Sequence, residues 1–542
     1  MRAKASRSRT APASLPEAQG GVRRVGYRAA CGCLALVYVI LAVVVAFSMA
    51  PTSDERAHLI YAVKIIRRQP ERDLRGFDSK MPVSVLNIPS YGTGWGPRER
   101  GAGPRVWPEL YDIRIARLST IAAGLLLGFL LWKWTYELYG PAAALAVGVL
   151  YCFSPNLLAH STLATSDLYA ALAFAATAYA HWKLAARPGT RTLLLASGSL
   201  ALSQITKFSA LFLFVAVPLS LAPAIWMRAR SGKPWLKPAV TYAVVTMALT
   251  VAVLNVGFAF HRSFTPLRSY RFESALFQSA AAVPVLSRVP LPVPHAYLEG
   301  LDMMLVHQKT GATFGKLYLL GETRPASHPF PSYYLVAYVF KEPLALQVLL
   351  AAGLFCIMRR RDLRSFLMHE WFLIAPIIVL LVVLSFFNGA QIGIRHILPV
   401  LALTLVLAGS AFQRWPVLSF RKKMCLALLI VWLAVSVLSY FPHLIPYMNE
   451  LVPDRRYGWT VLADSNLSWG QNAWLVSDFL SRNPDVKLNP QSPCTGRILI
   501  DANRLVGVEG PGAAWLRDHY EPVGHVGYAH LLYVVAARPP SR

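Results

Sequence analysis

The segment RAACGCLALVYVILAVVVAFSMAPTSDERAH, residues 28–58, decides the fold class. Most of it is an uncharged apolar run of about 20 residues, the length that an α-helix needs to cross the hydrocarbon core of a bilayer. Asp54, Glu55 and His58 follow this run directly. The segment therefore predicts a transmembrane helix that ends beside ionisable groups at one membrane surface.

The end of this run also resembles a signal-peptidase site, at Ser48-Met49-Ala50, so a cleaved signal peptide is the alternative. The apolar region of a signal peptide usually spans about 7–15 residues, which is shorter than this run. Pro51 would also occupy the first position after the cut. We therefore expect an uncleaved membrane anchor.

The rest of the chain repeats the apolar pattern. Of its 542 residues 55% are hydrophobic and 15% charged, whereas about 25% charged residues are usual in soluble domains. Further apolar runs lie near 116–134, 140–157, 161–182, 191–206, 207–226, 237–260, 333–357, 370–387, 396–413 and 424–441. The sequence therefore predicts an all-α polytopic membrane protein with about eleven transmembrane helices.

Basic residues give this protein its orientation. Lysine and arginine number 54 against 27 acidic residues, a net charge of +27, and they concentrate in alternate short loops between the runs. Since cytoplasmic loops carry the excess of Lys and Arg, the N-terminus is expected inside and the C-terminus outside. The chain has no RNA-binding signature or basic stripe interleaved with aromatic residues, so we predict membrane lipids as partners and no nucleic acid. The expected location is the bacterial inner (plasma) membrane.

The composition also divides the chain. We expect a basic, disordered cytoplasmic tail over 1–27, a membrane domain over 28–441 with outer loops at 51–115 and 261–332, and an extracytoplasmic C-terminal domain over 442–542. In the last segment, 496–501 and 530–536 read as strands and 472–482 as a helix. These elements predict a small α/β domain.

Ionisable residues within or next to apolar runs are costly and usually functional. Five separate elements place such residues at the same predicted depth, on the outer side. The residues are Asp54, Glu55, His58, Asp167, Lys207, Lys341, Glu342, Arg395 and His396. The pattern predicts a cavity at the outer leaflet that is lined by charges of both signs.

Each of these residues also has a structural explanation. Lys207 and Arg395 could reach out to lipid headgroups, and Asp54 and Asp167 could cap helices. Lys341 and its neighbour Glu342 could neutralise each other. Agreement among five elements at one depth favours a site over five separate explanations.

The segment that begins at Asp54 has the spacing of an amphipathic helix on the outer surface. Its first turn would place the Asp54 carboxylate where it can take a proton from a hydroxyl group. Asp54 and His58 share a helix face, but two ligands do not make a metal site. The six cysteines form neither a disulfide framework nor a zinc pattern. No cofactor is predicted, and a divalent metal stays an open alternative.

Several motifs follow one another in a known order. They are DE at 54–55, TSDL at 165–168, KEP at 341–343, GIRHILP at 393–399 and DSNLSWGQN at 464–472. Their order resembles the glycosyltransferase family 39-like membrane enzymes of the C-type superfamily, which include protein O-mannosyltransferases and the aminoarabinose transferase of lipid A. The chain departs from the family pattern in two places. Ser468 and Asn472 occupy positions where a bacterial subgroup has carboxylates. The first outer loop also has Met81-Pro82 in place of a His-Pro-Pro element.

The resemblance implies the C-type glycosyltransferase fold and transfer of a sugar, with inversion, from a polyprenyl phosphate to an acceptor hydroxyl at the outer face. It implies catalytic roles for Asp54, as the base, and Glu55. It also implies donor-phosphate or substrate contacts for His58, Asp167, Lys207, Lys341, Arg395 and His396. The acceptor would be a lipid, a glycan or a protein.

Two other functions compete with this one. A transporter or flippase for a lipid-linked sugar would need ionisable groups spread across the depth of the membrane. A non-catalytic envelope-assembly protein would tolerate the loss of Asp54.

The predicted orientation can be tested with single-cysteine variants and a thiol reagent that does not cross membranes. The sites expected outside are Asp54, Thr310 and Cys494, and those expected inside are Gly20, Arg187 and Arg360. We expect labelling of intact cells at the first three sites alone, because the basic loops stay in the cytoplasm. Labelling at position 360 but not at position 310 would contradict this topology.

Overall fold

The computed structural model describes residues 17–72, 79–88, 112–311 and 314–536. The helices of the first half are α1 Glu17–Ser48, α2 Ser53–Ile66, α3 Ile113–Tyr139, α4 Pro141–Cys152, α5 Pro155–Ser161, α6 Asp167–Ala186, α7 Thr190–Ser203, α8 Leu213–Arg230 and α9 Leu236–Gly257. Those of the second half are α10 Ala275–Ala282, α11 Pro284–Ser287, α12 His295–Thr310, α13 Tyr333–Lys341, α14 Leu344–Met358, α15 Leu363–Met368, α16 Trp371–Phe386, α17 Leu398–Gly409, α18 Phe420–Leu438, α19 Ala473–Arg482, α20 Ala502–Val506 and α21 Ala514–Arg517.

Each of the eleven predicted apolar runs coincides with helix, and the chain is a multi-pass membrane protein. In the described residues, five helices are long and apolar enough to cross a membrane, in α1, α3, α8, α9 and α17. Two bent pairs raise this number to seven if each counts as one span: α4 with α5, at 64°, and α13 with α14, at 109°. Helices α6, α7, α16 and α18 occupy the other four runs. The predicted number of about eleven spans is therefore not confirmed.

The predicted disordered tail differs from the structure over part of its length. Residues 1–16 lie outside the described residues, but α1 begins at Glu17 and continues through the predicted boundary at residue 27. Extending an existing helix by one residue costs far less than starting a new one. The apolar part of α1 therefore supports helix on its N-terminal side.

Helix α17 forms the centre of the bundle. Each of its residues is buried, and it contacts α3, α4, α6, α14 and α16. A helix that is apolar all round has to be enclosed by other helices or by lipid. The turn before it, Ile394–Ile397, carries Arg395 and His396, so these side chains begin from the most enclosed part of the molecule.

The C-terminal segment contains the two predicted strands and the predicted helix. Strand β4 (Gly496–Asp501) pairs antiparallel with β6 (His530–Val535), from Gly496 opposite Val535 to Asp501 opposite His530. Strands β3 (Lys487–Leu488) and β5 (Gly524–Val526) complete a sheet of order β3-β4-β6-β5. Alternate residues such as Ile498, Ile500 and Tyr533 fill its core.

Strands β1 (Lys316–Leu319) and β2 (Glu322–Pro325) form a hairpin within the loop 261–332 that was not predicted. Leu319 forms a β-bridge with Leu462, and the Leu320 amide donates to the Val461 carbonyl, 2.9 Å away. The hairpin therefore joins the loop 261–332 to the chain just before the DSNLSWGQN motif.

A buried ion pair joins the first helices. The Arg117 guanidinium of α3 donates to both oxygens of Glu55, at 2.8 and 2.7 Å, and neither side chain is exposed. Arg117 also donates to the carbonyls of Ala46, Met49 and Ala50 at the end of α1. Because helix ends leave carbonyls without intrahelical partners, this arginine completes the end of α1.

Glu55 has matching contacts at the start of α2. It accepts from the Thr52 amide at 2.8 Å, in a capping box, and from the Ala164 amide at 2.8 Å. The pair thus connects α1, α2, α3 and the turn before α6. The prediction that Glu55 lines the catalytic site is wrong in its placement, because the side chain faces this enclosed cluster.

We expect Glu55→Gln to destabilise the protein by roughly 3–5 kcal/mol, because Arg117 would keep a buried charge without its counter-ion. Thermal unfolding of the purified protein in detergent measures the effect. Glu137→Gln is the matched control, since Glu137 pairs with Lys183 where both side chains are 27% exposed. Such a pair contributes about 0–1 kcal/mol. Equal shifts for the two variants would contradict the structural role of Glu55.

Candidate active site

A cavity of about 800 Å³ lies where α2, α12, the end of α16 and the turn before α17 meet. Six of the eight predicted site residues line it. They are Asp54, His58, Asp167, Lys207, Arg395 and His396. The predicted cavity with charges of both signs is therefore present in the fold.

Two of its carboxylates come from helix N-termini. Asp54 lies in the first turn of α2, and Asp167 is the first residue of α6. The free amide groups and the dipole of a helix N-terminus stabilise a negative charge. The local sequence thus explains why two anions can face the same enclosed space.

The charged groups alternate in sign. Arg395 Nη1 lies 2.6 Å from Asp54 Oδ2 and 4.0 Å from Asp167 Oδ2. The Lys207 ammonium donates to the Asp167 carboxylate, and Lys80 Nζ lies 3.9 Å from Asp54 Oδ1. Each carboxylate therefore has two cationic neighbours.

These neighbours determine the ionisation of Asp54. Burial opposes ionisation, but the positive charges of Lys80 and Arg395 outweigh it and hold the pKa of the Asp54 carboxyl well below its usual range. Its side chain is 30% exposed and lines the cavity. Asp54 is consequently an anion near pH 7 that faces the cavity.

Two histidines lie beside the ionic groups. Burial, with a further contribution from Lys80, lowers the pKa of His58 to about 3, so its ring is neutral near pH 7. His58 Nδ1 is 2.8 Å from Ser84 Oγ, and His396 Nδ1 is 3.5 Å from Lys207 Nζ. The described residues contain no group of three or more His, Cys, Asp or Glu side chains arranged to hold a metal ion. Asp54 and His58 thus remain two candidate ligands without a third.

Lys341 was predicted at this site, and the structure places it elsewhere. It is 1% exposed, and its ammonium donates to the carbonyls of Ile445 and Asn466, each 2.6 Å away. Its neighbour Glu342 accepts from Asn156 Nδ2 at 2.8 Å. Depth in the membrane was the basis of the prediction, and depth does not reveal the side of the helix on which a residue lies. Lys341 thus secures the start of the DSNLSWGQN region.

Two residues at or next to the site were not predicted: Lys80, which lines the cavity, and Trp469, which contacts Arg395. Lys80 directly precedes Met81-Pro82, the pair that departs from the family pattern. The Arg395 Cζ atom lies 4.1 Å from the centroid of the Trp469 ring, an arrangement typical of a cation–π contact. Trp469 belongs to the quoted motif, so its position along the chain was the available signal.

The other wall of the cavity is apolar. Its members come from α2, the turn Phe208–Phe212, α12 and α16, and they include Ile60, Tyr61, Leu211, Phe212, Leu301, Met304, Leu305, Leu384 and Phe387. Cavities that combine convergent polar groups with an apolar wall are typical of ligand sites. This cavity can accept a molecule with an anionic part and a hydrocarbon part.

Residues 112–257 match the sequence model of the dolichyl-phosphate-mannose-protein mannosyltransferase family. This match confirms the family resemblance drawn from the motifs. No curated protein sequence matches the chain.

The chain is also similar to solved structures. One is ArnT from Cupriavidus metallidurans bound to undecaprenyl phosphate, with 13% identity, a TM-score of 0.41 and coverage of 95% of this chain and 98% of that one. The apo state of the same protein has 13% identity and a TM-score of 0.38, and the match covers 94% of this chain and 98% of that one. Another is the oligosaccharyltransferase AglB from Archaeoglobus fulgidus, in complex with an inhibitory peptide and a dolichol-phosphate. It has 17% identity and a TM-score of 0.48, and the match covers 77% of this chain and 55% of that one. The chain thus spans about half the length of AglB.

Proposed function

We propose that this protein is a membrane glycosyltransferase that moves a sugar from a polyprenyl-phosphate donor to an acceptor hydroxyl in this cavity. The observation that carries the proposal is the Asp54–Arg395 contact of 2.6 Å at the polar end of a cavity with an apolar wall. On this proposal, Asp54 is the proton acceptor and Arg395 is the cation that binds the phosphate. The family match over residues 112–257 supports the same chemistry.

The reaction needs one displacement. The acceptor hydroxyl gives its proton to the Asp54 carboxylate as its oxygen forms a bond with the anomeric carbon of the sugar. The bond between that carbon and the phosphate oxygen breaks, and the phosphate leaves with the electron pair. Attack from the face opposite the leaving group inverts the anomeric configuration.

Arg395 is our candidate for the main phosphate ligand. Its Nη1 is bound to Asp54, but its Nε is buried and has no hydrogen-bond partner among the described residues. A buried donor without a partner is costly, and a bound phosphate oxygen would satisfy it. A guanidinium can serve the base and the phosphate at once, because it presents several N–H groups in one plane.

The charge balance fits the donor. Lys80, Lys207 and Arg395 carry three positive charges against the two carboxylates, Asp54 and Asp167, so the network has a net charge of +1. A polyprenyl-phosphate sugar is a phosphodiester with one negative charge, which would make the site neutral. The polyprenyl phosphate that remains after transfer carries more negative charge, and the cations would stabilise that developing charge.

The apolar wall would take the first isoprene units of the donor. The acceptor class, whether lipid, glycan or protein, would then be decided at the open side of the cavity. Mass spectrometry of the surface glycans and lipids of a deletion strain would identify the missing product and hence the sugar.

We expect Asp54→Asn to lower the rate of transfer by about 10²–10⁴-fold, because an amide keeps the shape of the side chain but cannot act as the base. Initial rates with a synthetic polyprenyl-phosphate sugar in detergent measure this. Undecaprenyl phosphate should bind with unchanged or higher affinity, since a negative charge is removed from the site.

Asp478→Asn is the control for this variant, because Asp478 is exposed and pairs with Arg482 on α19. A rate for Asp54→Asn within about threefold of wild type would remove Asp54 from the mechanism. Its role would then be limited to the first turn of α2.

We expect Arg395→Ala to weaken donor use about 10–150-fold, which corresponds to the loss of a charge-assisted hydrogen bond of about 1.5–3 kcal/mol. Arg395→Lys should give an intermediate loss, because an ammonium cannot contact Asp54 and two phosphate oxygens in one plane. Titration of the synthetic donor gives the effect. Arg114→Lys is the control, since Arg114 lies over the rings of Phe47 and Trp474 and does not line the cavity. Wild-type kinetics for Arg395→Lys would contradict the role of the Arg395 guanidinium as a phosphate ligand.

A further inference from the structure

The DSNLSWGQN motif, residues 464–472, is not used by the proposed reaction. We call it the Trp469 loop. None of its side chains lines the cavity, yet most of them are buried. Gly470 has a φ of +91°, and a Cβ atom there would lie 3.3 Å from the Pro51 carbonyl oxygen. A loop packed this closely against the start of α2 has a specific conformation.

The loop supports Arg395 from one side. The Trp469 ring lies against the guanidinium, with 4.1 Å between Cζ and the ring centroid. Asn466 Oδ1 accepts from the Ile394 amide at 3.0 Å, and the Ser465 hydroxyl donates to the Ile392 carbonyl. The loop therefore contacts both the side chain of Arg395 and the backbone that precedes it.

The same loop holds the segment that leads to Asp54. The Ser53 amide donates to the Trp469 carbonyl at 3.1 Å, and the Ala50 amide donates to the Gln471 carbonyl at 3.0 Å. Gln471 Oε1 accepts from the Trp469 amide at 2.6 Å, inside the loop. The segments that lead to Asp54 and to Arg395 thus both contact the same short loop.

The C-terminal sheet and the helix α20 that follows strand β4 also contact the loop. Asn503, at the start of α20, accepts from the Asp464 amide at 2.7 Å and donates to the Ser468 carbonyl at 3.0 Å. The Ser468 hydroxyl donates to Asp501 at 2.5 Å. Asn472 Nδ2 donates to the Gly527 carbonyl at 2.9 Å. The sheet therefore contacts the loop at several points along its length.

We propose that Trp469 is a positioning residue that holds the Arg395 guanidinium against Asp54. In this proposal the C-terminal sheet fixes the Trp469 loop through Asn503, which follows strand β4 and bonds to Asp464 and Ser468. This inference deepens the proposed function and rests on it. It gives the C-terminal sheet a defined role, which is to maintain the geometry of a site that the sheet itself does not enter.

The rotamers of arginine give a physical reason for such a role. A long arginine side chain loses much conformational freedom when its guanidinium is held in one place. The face of an indole attracts a cation and restricts it to a plane. Among the described residues, the Arg395 Nε has no hydrogen-bond partner. Without the ring, Arg395 would sample other rotamers, and the donor phosphate would have to order it on binding.

A double-mutant cycle tests this inference, with undecaprenyl phosphate as the probe and the full-length protein in detergent. We expect Trp469→Leu to weaken binding about 3- to 30-fold, and Trp469→Phe to recover most of the affinity because it restores an aromatic face. In an Arg395→Ala background, Trp469→Leu should change the affinity less than about twofold, because the residue through which it acts is absent. A purely structural role would give the same fold-loss in both backgrounds.

Asn503→Ala tests the contribution of the sheet, with an expected loss of about 2- to 10-fold that also disappears in the Arg395→Ala background. Asn483→Ala is its control, because Asn483 donates to Phe479 in the same C-terminal segment and touches no loop residue. Trp226→Leu is the control for Trp469, since Trp226 lies 4.2 Å from the Arg230 guanidinium away from the cavity. Both controls should bind like wild type.

The outcomes separate the two proposals. Binding by the wild type with additive losses for Trp469 and Arg395 would overturn the positioning role alone. An equal loss for Trp469→Phe and Trp469→Leu would do the same, because packing volume rather than the ring would then matter. A wild-type protein that binds no undecaprenyl phosphate would overturn the proposed function and, with it, this inference.

Discussion

The buried ion pair between Glu55 and Arg117 is the constraint on which the site depends. It holds Glu55 at the start of α2, and successive residues in the first turn of a helix point in different directions. Asp54 therefore faces the cavity because Glu55 is held on the other side. The same arginine completes the end of α1, so the angle between α1 and α2 is fixed by one guanidinium with five acceptors.

The two acidic neighbours have opposite surroundings. Glu55 is fully enclosed, with its charge matched by one arginine and by backbone amides. Asp54 contacts two cations, Lys80 and Arg395, and also faces the open space of the cavity. An enclosed, fully paired carboxylate has no free lone pair directed at a substrate, whereas a partly exposed one does. This difference supports a structural role for Glu55 and the proposed role of Asp54 in proton transfer.

The sequence predicted the positions of the helices and strands better than it predicted the contacts of individual side chains. Apolar run length located the helices, and the depth of charged residues gathered six of the eight site residues in one cavity. Depth failed for Lys341 because both of its acceptors are backbone carbonyls, and a carbonyl leaves no mark on the sequence. Lys80 escaped prediction because it comes from a polar loop, where a lysine is ordinary. The number of spans was uncertain for a related reason: a bend such as that between α13 and α14 divides an apolar run without changing its composition.

The two neutral residues of the Trp469 loop show how a departure from a family pattern can be read. Ser468 donates its hydroxyl to Asp501, and Asn472 donates its amide to the Gly527 carbonyl. A carboxylate at either position could only accept hydrogen bonds, so at position 468 it would face the Asp501 carboxylate and at position 472 a carbonyl oxygen. Like charges at such distances repel strongly in a buried site. In this chain the loop therefore requires donors at these positions. This fits a loop that attaches to the C-terminal segment, while the charges of the proposed reaction come from Asp54, Arg395, Lys80 and Lys207.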